Sequence, residues 1–393
     1  MRIIIVHNRY QQRGGEDSVV EDEVSLLRSH GHEVATYFRD NSDLTTSGSS
    51  AAIAINAIWS TRTMRDIAAA ISDYRPNVIH VHNTFPLISP AIYWAASRSG
   101  IPVVQTVHNF RLVCPQAMLL RNGRICENCI GGLPWDALRY RCYRGSLVQT
   151  GVLFSVMAFH RAVGTYRRHV SRFIALSEFS RKKLIEGGLP DQRIVVKPNF
   201  VDAPVAPLTE RRDSGLYVGR LSPEKGTEVL SAAAKQVPSA RIDVMGTGEQ
   251  QSTLAGNPNL NLLGWKRSED VLEKMRTARY LILPSICHES FPRALVEAYA
   301  SGLPVIASRL GAMAELVEDG ETGLLFEAGN ASDLARKIQW AENNPSEMAR
   351  MSRAARAMYE AKYTPARNYA MLLETYRQVS AYGRVAKRCR ESA

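Results

Sequence analysis

Short runs of β-branched and aliphatic residues alternate with segments of helical period along the first half of the chain. The runs have the length and composition of buried strands. They are Arg2–Val6, Glu33–Phe38, Val78–His82, Val103–His108, Phe173–Leu176 and Ile194–Lys197. Because strands that alternate with helices are typical of βαβ units, the pattern predicts an α/β domain built on a parallel sheet.

A second series of strand and helix patterns begins at Gly215–Val218. Before it, the regular pattern gives way near Pro198 to a proline-rich, charged stretch that ends at Ser214 and is the predicted linker. At 393 residues the chain is too long for one ordinary core. We therefore predict two domains and a final segment with a helix and a basic tail, at residues 1–200, 201–363 and 364–393.

Polar residues interrupt an apolar pattern at one point of the second half. The run Tyr280–Leu283 predicts a buried strand, and a helix with almost no polar face is predicted to begin near Pro292. Glu297 lies inside this helix, where an unpaired carboxylate is costly. Two interpretations remain open: an ion pair with Arg293, four residues earlier, or a carboxylate that accepts two hydroxyl hydrogen bonds from a ligand diol.

A second carboxylate, Glu289, falls between this strand and this helix. Open α/β sheets bind ligands at the carboxyl ends of their strands, and the start of a helix is a natural anion site. The order carboxylate, helix start, carboxylate extends over about 10 Å at the usual helical rise. A nucleotide sugar has the matching order of sugar hydroxyls, diphosphate and ribose diol.

The E-x7-E spacing of Glu289 and Glu297, followed by SGLPVIAS, resembles the donor site of the retaining glycosyltransferases of family 4. The resemblance implies an α/β chain with the GT-B fold, two Rossmann-like doubly wound domains facing a central cleft. It also implies a metal-independent hexosyltransferase that uses a nucleoside-diphosphate sugar and retains the anomeric configuration. In the family the first glutamate contacts the hydroxyls of the donor sugar, the second contacts the ribose, and the last helix returns to the first domain.

The segment between the two glutamates is expected to contact the donor through Phe291, Pro292 and Arg293. It also contains a departure from the family, which often has glycine after the phenylalanine. Proline lacks the backbone N–H, so one amide donor is lost at the helix start.

Three residues outside this segment are expected to act on the reacting groups. Arg220 and Lys225 match the spacing of an arginine and a lysine in the family and would clamp the diphosphate as negative charge grows on the leaving oxygen. His108 ends a strand, and the family has a histidine at the same strand end, close to the donor sugar and the acceptor. We expect it to position or polarise the reacting groups.

Two glycine turns are further candidates for donor binding. Gly14 and Gly15 follow the first strand, where the family has a glycine-rich loop that meets the β-phosphate of the donor. Gly246 and Gly248 form a Gly-x-Gly turn of the kind that lies near the donor in the family. The third glycine of a dinucleotide fingerprint is replaced by Gln251, which argues against a dehydrogenase.

Four cysteines occur between residues 110 and 145, where helical and strand periods are lost: Cys114, Cys126, Cys129 and Cys142. A C-x2-C knuckle with a further cysteine on each side is the arrangement of a structural four-thiolate zinc site. The alternative is a set of thiols that fill small apolar gaps. No cofactor is expected for catalysis.

The chain has 49 lysine and arginine residues against 38 aspartate and glutamate residues, a net charge of +11. This charge favours a pyrophosphate-bearing substrate or an acidic membrane surface, with a generally basic solvated surface as the alternative. No nucleic-acid-binding motif accompanies it, so nucleic acid is not an expected partner. Six cysteines in a chain without a signal peptide are typical of a reducing compartment, so we expect a cytoplasmic protein.

The segment Leu147–Val170 has an apolar body and a basic end. It is either a membrane-surface helix attracted to acidic lipid or a core helix with a solvated basic end. The first interpretation implies a lipid-linked or polysaccharide precursor as the hydroxyl acceptor, at the inner face of the cytoplasmic membrane. The competing functions are a non-catalytic sugar-nucleotide-binding protein and another GT-B enzyme, such as a phosphorylase or an epimerase.

Overall fold

The computed structural model describes residues 1–11, 14–45, 49–203 and 214–391. The chain forms two compact units. The first consists of Met1–Ala117, Glu127–Lys197 and Ala366–Ala393, and the second of Met118–Cys126 and Pro198–Pro365. Of the predicted linker, residues 204–213 lie outside the described residues.

The first unit is built on a six-stranded sheet in which every neighbouring pair is parallel. Its strands are β1 (Arg2–Arg9), β2 (Glu33–Asp40), β3 (Val78–Asn83), β4 (Val103–Val107), β7 (Arg172–Ala175) and β8 (Ile194–Val196), in the order β2-β1-β3-β4-β7-β8. The strands β5 (Leu120–Arg121) and β6 (Arg124–Ile125) form a separate antiparallel hairpin. All six strands predicted for this half are therefore present.

Helices connect the strands of the first sheet: α1 (Gly15–Ser29), α2 (Ser50–Ile58), α3 (Thr61–Tyr74), α4 (Ala91–Arg98), α5 (Trp135–Arg139), α6 (Leu147–Ala162), α7 (Thr165–His169) and α8 (Glu178–Glu186). Serine side chains cap four of them by accepting a hydrogen bond from an amide in the first turn: Ser49, Ser60, Ser146 and Ser177. The segment Leu147–Val170 thus contains two helices.

The second unit contains another parallel sheet of six strands: β9 (Gly215–Val218), β10 (Ile242–Met245), β11 (Leu260–Gly264), β12 (Tyr280–Leu283), β13 (Val305–Ser308) and β14 (Gly323–Phe326). Their order is β11-β10-β9-β12-β13-β14. The helices that follow Thr227 are α9 (Thr227–Lys235), α10 (Gln251–Ala255), α11 (Ser268–Thr277), α12 (Arg293–Ala300), α13 (Gly311–Leu316), α14 (Ala331–Asn343), α15 (Pro345–Lys362) and α16 (Pro365–Glu391).

The last helix belongs to the first unit from Ala366 onward. Its side chains Leu372 and Tyr376 are fully buried in a core cluster with Ile3 and Ile5 of β1. Among the described residues, no helix has both the length and the apolar character required to span a membrane.

Candidate functional site

The strand order of the second sheet reverses direction between β9 and β12. Loops that leave the carboxyl ends of two such strands diverge and form a crevice between them, which is where doubly wound sheets bind ligands. The loop after β9 contains Lys225, and the loop after β12 contains Ser285 and Glu289. Lys225 Nζ donates to Glu289 Oε1 at 2.5 Å, and Ser285 Oγ donates to the same oxygen at 2.8 Å. The structure therefore brings together two of the predicted site residues.

Lys225 and Glu289 keep each other charged. Burial would raise the pKa of Glu289, but the Lys225 ammonium and the Ser285 hydroxyl hold it below its ordinary value. Burial would lower the pKa of Lys225, but the Glu289 carboxylate raises it. Burial raises the pKa of the neighbouring Cys287 thiol to about 12, so this thiol is neutral. The site thus combines an ammonium group, which binds phosphate, with a carboxylate, which accepts hydroxyl hydrogen bonds.

Arg220 lies on the same loop but in a different environment. Its side chain is 67% exposed, and NH2 donates to Glu224 Oε1 at 3.2 Å. Its charge contributes to the lowered pKa of Glu289. Because an exposed ion pair is weak, the guanidinium can exchange its carboxylate partner for a phosphate at little cost.

The packing of backbone against backbone requires both glycines of the predicted Gly-x-Gly turn in the second unit. A Cβ on Gly246 would lie 1.9 Å from the carbonyl oxygen of Gly219, and φ at Gly246 is +148°. A Cβ on Gly248 would lie 2.3 Å from the carbonyl oxygen of Leu221. Both glycines let the loop after β10 approach the loop that carries Arg220.

Helix α12 begins directly after Pro292, which occupies the N-cap position. Arg293 Nε donates to Glu297 Oε1 at 2.8 Å, so the ion pair considered in the sequence analysis is present. A role for Glu297 toward a diol stays a prediction, since the pair engages one carboxylate oxygen. Phe291 is buried, with its ring centroid 5.9 Å from that of Tyr363, and therefore packs within the second unit.

In the first sheet the strand order reverses between β1 and β3. Gly14 is the N-cap of α1 and Gly15 is its first residue, while residues 12–13 of the same turn lie outside the described residues. The Gly14 amide donates to Asp17 Oδ2 at 2.8 Å, and His7 Nε2 lies 2.8 Å from Asp17 Oδ1. The Asp17 carboxylate therefore caps the start of α1 by accepting from this amide.

His108 directly follows β4 and lines a pocket in the first unit. Asn109 and Arg111 line the same pocket, and α6 contributes apolar side chains to it: Leu153, Val156 and Met157. His108 Nε2 lies 2.9 Å from Nδ1 of His82, a strand histidine to which the sequence assigns no role. The pocket combines polar groups with an apolar wall.

Glu16 is another residue of this region that sequence reasoning missed. Tyr10 OH donates to Glu16 Oε2 at 3.0 Å, and Asn109 Nδ2 lies 3.5 Å from the same oxygen. Burial raises the pKa of Glu16 to about 7. The sequence signal for Glu16 is its position directly after the glycine turn that follows β1. Its burial depends on contacts with Tyr10 and Asn109, and the helical period of α1 does not reveal these contacts.

A structural zinc site at the four cysteines stays a prediction. Among the described residues, the one group of three histidine, cysteine or acidic side chains with ligand atoms within 4.8 Å of one another is Glu23, His80 and His82. Cys126 belongs to the second compact unit, whereas Cys114, Cys129 and Cys142 belong to the first. Cys114 and Cys129 are buried, which fits the alternative that these thiols fill apolar gaps.

Two doubly wound units with polar groups at their switch points define a class of two-domain α/β proteins that bind nucleotides. A family model described as Glycosyltransferase Family 4 matches residues 13–204, and one described as Glycosyl transferases group 1 matches residues 204–358. The chain therefore belongs to the group 1, family 4 glycosyltransferases with the GT-B fold, which confirms the resemblance found in the sequence.

The D-inositol 3-phosphate glycosyltransferase of Mycobacterium sp. (strain KMS) is 32% identical over 77% of this chain and 66% of the relative. An uncharacterised glycosyltransferase of Methanocaldococcus jannaschii is 32% identical over 44% of this chain and 50% of its own length. The chain thus spans about half the length of several curated relatives it matches. The solved structure of Anabaena HepE with UDP has a TM-score of 0.67 at 18% identity, covers 96% of this chain and 100% of HepE, and shows the fold.

Proposed function

We propose that this chain is a retaining, metal-independent glycosyltransferase that moves a sugar from a nucleoside diphosphate to a hydroxyl group. The observation that carries the proposal is the charged pair of Lys225 and Glu289 at the carboxyl ends of β9 and β12. An ammonium group suits the diphosphate and a carboxylate suits the sugar hydroxyls. Further support comes from HepE, whose solved structures hold UDP and UDP-glucose.

In this reaction Lys225 and Arg220 bind the diphosphate, Glu289 binds the sugar hydroxyls and Glu297 binds the ribose. The bond between the anomeric carbon and the diphosphate oxygen breaks, and the acceptor oxygen bonds to the same face of that carbon. The proton of the acceptor hydroxyl passes to the leaving phosphate oxygen. Lys225 stabilises the negative charge that develops on the diphosphate.

The acceptor in this proposal enters the pocket of the first unit beside His108. The α6 wall of this pocket is apolar, while His108, Asn109 and Arg111 supply hydrogen-bonding groups. Such a lining suits an acceptor that presents hydrocarbon next to its hydroxyls. A lipid-linked saccharide, of the kind used as a polysaccharide precursor, has this chemistry.

A surface of α5 and α6 supports contact with an acidic membrane. Trp135 is 62% exposed and Val148 is 79% exposed, and Leu147 beside it is also exposed. Exposed arginines lie in the same part of the chain, at Arg139 and Arg144. Apolar side chains that enter the interface, together with cations that meet anionic headgroups, are the features of a peripheral membrane surface.

Transfer is tested with purified full-length protein, UDP-sugars and GDP-sugars, and a lipid-linked saccharide acceptor. Lys225→Ala should lower the rate on the order of 100-fold, because a lost charge-stabilising donor acts mainly in the transition state. The matched control is Lys235→Ala, which removes the same charge from the exposed last turn of α9. Activity should survive EDTA, and loss with EDTA followed by rescue with a divalent ion would contradict the metal-independent mechanism.

Membrane contact is tested by sedimentation with vesicles of neutral lipid or of neutral and anionic lipid together. The protein should sediment with the anionic vesicles, and a Trp135→Ala/Val148→Ser variant should lose most of this binding. Trp340→Ala, which alters an exposed tryptophan of the second unit, is the control. Equal binding by the double variant and the control would refute this surface.

A further inference from the structure

A buried row of polar side chains leads to His108 in the first unit. Lys197 Nζ donates to Glu23 Oε1 at 2.6 Å, Glu23 Oε2 lies 3.5 Å from His82 Nε2, and His82 Nδ1 lies 2.9 Å from His108 Nε2. Glu23 is on α1, His82 is on β3, and Lys197 follows β8. Lys197, Glu23 and His82 are at most 3% exposed, so the row is shielded from water.

The contact between Glu23 and His82 indicates which ring nitrogen of His82 carries the hydrogen. Glu23 forms an ion pair with the Lys197 ammonium, and a carboxylate can only accept hydrogen bonds. Glu23 Oε2 and His82 Nε2 are both buried without a hydrogen-bond partner at ideal geometry, and they face each other at 3.5 Å. A buried nitrogen beside a carboxylate is best satisfied when it carries the hydrogen, so His82 is the Nε2–H tautomer.

The contact between His82 and His108 indicates which ring nitrogen of His108 carries the hydrogen. Burial lowers the pKa of both His82 and His108, so each ring is neutral near pH 7 and carries one N–H. If His82 carries its hydrogen on Nε2, then Nδ1 has a lone pair. The 2.9 Å contact between the rings then requires His108 Nε2 to be the donor. The remaining nitrogen of His108, Nδ1, has a lone pair.

We propose that Glu23 and His82 are positioning residues that hold His108 in the Nε2–H tautomer, which makes His108 Nδ1 a hydrogen-bond acceptor. Toward the acceptor hydroxyl, which is the part that rests on the proposed function, His108 then orients an O–H group and cannot donate a proton from Nδ1. Neither Glu23 nor His82 needs to touch a substrate for this effect.

The same neighbourhood is a poor cation site. The carboxylate of Glu23 already holds the Lys197 ammonium, and a metal ion beside it would meet a second positive charge. His80, the third member of the group, has Nδ1 2.7 Å from Tyr376 OH and Nε2 2.8 Å from Thr106 Oγ1. Both nitrogens of His80 are therefore hydrogen-bonded to hydroxyl groups. The Glu23, His80 and His82 side chains are thus better suited to hydrogen bonds than to binding a metal ion.

The direct test uses unmodified full-length protein with ¹⁵N-labelled histidine rings. Long-range ¹H–¹⁵N correlation spectra near pH 7.5 distinguish a protonated ring nitrogen from a bare one, and His82→Asn and His108→Asn spectra assign the signals. The expected result is a hydrogen on Nε2 of both His82 and His108. A hydrogen on Nδ1 of His108, or on both of its nitrogens, overturns the proposal. This measurement does not depend on transferase activity, so it separates the proposal from the proposed function.

A double-mutant cycle supplies the functional test. His82→Leu should lower kcat by about tenfold with little change in the KM of the donor, because it releases His108 from its tautomer and orientation. In a His108→Asn background the same change should have almost no further effect, since His82 acts through His108. His82→Asn, which offers a carbonyl oxygen to His108 Nε2–H, should recover part of the rate. Additive losses in the cycle would show that His82 acts independently of His108 and would overturn the proposal.

Glu23→Gln gives the sharpest change of tautomer but leaves the Lys197 ammonium buried without an anion. We therefore combine it with Lys197→Met, which removes both charges of the pair together. Without the carboxylate, the Nε2–H tautomer of His82 is no longer favoured over the Nδ1–H tautomer. The spectra should then show neutral His108 as a mixture of two exchanging tautomers, one with the hydrogen on Nδ1 and one with it on Nε2. An unchanged, single Nε2–H form of His108 in this variant would show that Glu23 has no positioning role.

Discussion

Glu289 uses one carboxylate oxygen for two partners, the Lys225 ammonium and the Ser285 hydroxyl. Lys225 and Glu289 are 64 positions apart in the chain, and the strand order of the second sheet brings them together at its switch point. Sequence spacing assigned each of them to the donor site through the family resemblance, but the contact between them depends on long-range packing. The contact matters for function because each ion changes what the other can bind.

Glu289→Gln should weaken binding of the nucleotide sugar without weakening binding of the bare nucleoside diphosphate. The amide keeps the shape of the side chain but no longer neutralises Lys225, so the affinity for a bare nucleoside diphosphate should be unchanged or higher. The affinity for the sugar conjugate should fall, because a neutral amide accepts sugar hydroxyls more weakly. Isothermal titration calorimetry with both ligands checks this, with Glu228→Gln on the exposed side of α9 as the control. Equal losses for the two ligands would contradict the assignment of Glu289 to the sugar.

Glu16 should make the stability of the first unit depend on pH. Its folded-state pKa of about 7 lies above its ordinary value, so the protonated form favours folding. This contribution is fully present below about pH 4.5 and is lost as pH rises through 7. Glu16→Gln, which stays neutral, should match the wild type near pH 4 and exceed it at pH 8 by up to about 3 kcal/mol. Calorimetric melting at both pH values is the measurement, and Glu21→Gln on the same helix is the control variant.

The predicted strands are short apolar runs between glycine, proline or charged residues, and such a signal is local. They include all six strands of the first sheet but only some of the second, such as Gly215–Val218 and Tyr280–Leu283. The glycine turn at Gly246 was predicted for a different reason from the one that the structure gives. The family resemblance assigned it to the donor, whereas the backbone of Gly219 already excludes a side chain there. The zinc prediction rests on the spacing of the cysteines, and the spacing of Cys126 and Cys129 says nothing about the path of an irregular segment.

Gly246→Ala should destabilise the second unit whether or not a ligand is present. The new Cβ would meet the Gly219 carbonyl oxygen at 1.9 Å, at a φ of +148° that non-glycine residues rarely adopt. Strain of this kind costs roughly 1–3 kcal/mol. Melting of the ligand-free protein should show the loss, and Gly256→Ala, whose Cβ would have no neighbour within 4 Å, should show little. Normal stability with weak donor binding would instead assign Gly246 to the ligand.

On the scale of the whole molecule, the chain passes between its compact units after Ala117, Cys126, Lys197 and Pro365. The last of these passages gives the final helix to the first unit. Its residues complete a core whose other members come from the first 200 residues, as the cluster of Leu372, Tyr376 and Val379 with Ile3 shows. The apolar pattern predicts such a helix, but only the family resemblance indicated which domain would bury it.

Leu372→Ala should therefore destabilise the first unit, although the residue follows the entire second unit in sequence. Leu372 is fully buried, and truncation of a buried leucine typically costs about 2–5 kcal/mol through lost transfer energy and the cavity left behind. Met371 is 37% exposed on the same helix, so Met371→Ala should change little. Differential scanning calorimetry with and without UDP separates the units, because a ligand of the second unit raises only the transition of that unit. We expect Leu372→Ala to lower the transition that UDP does not shift. A loss confined to the UDP-sensitive transition would place the helix in the core of the second unit instead.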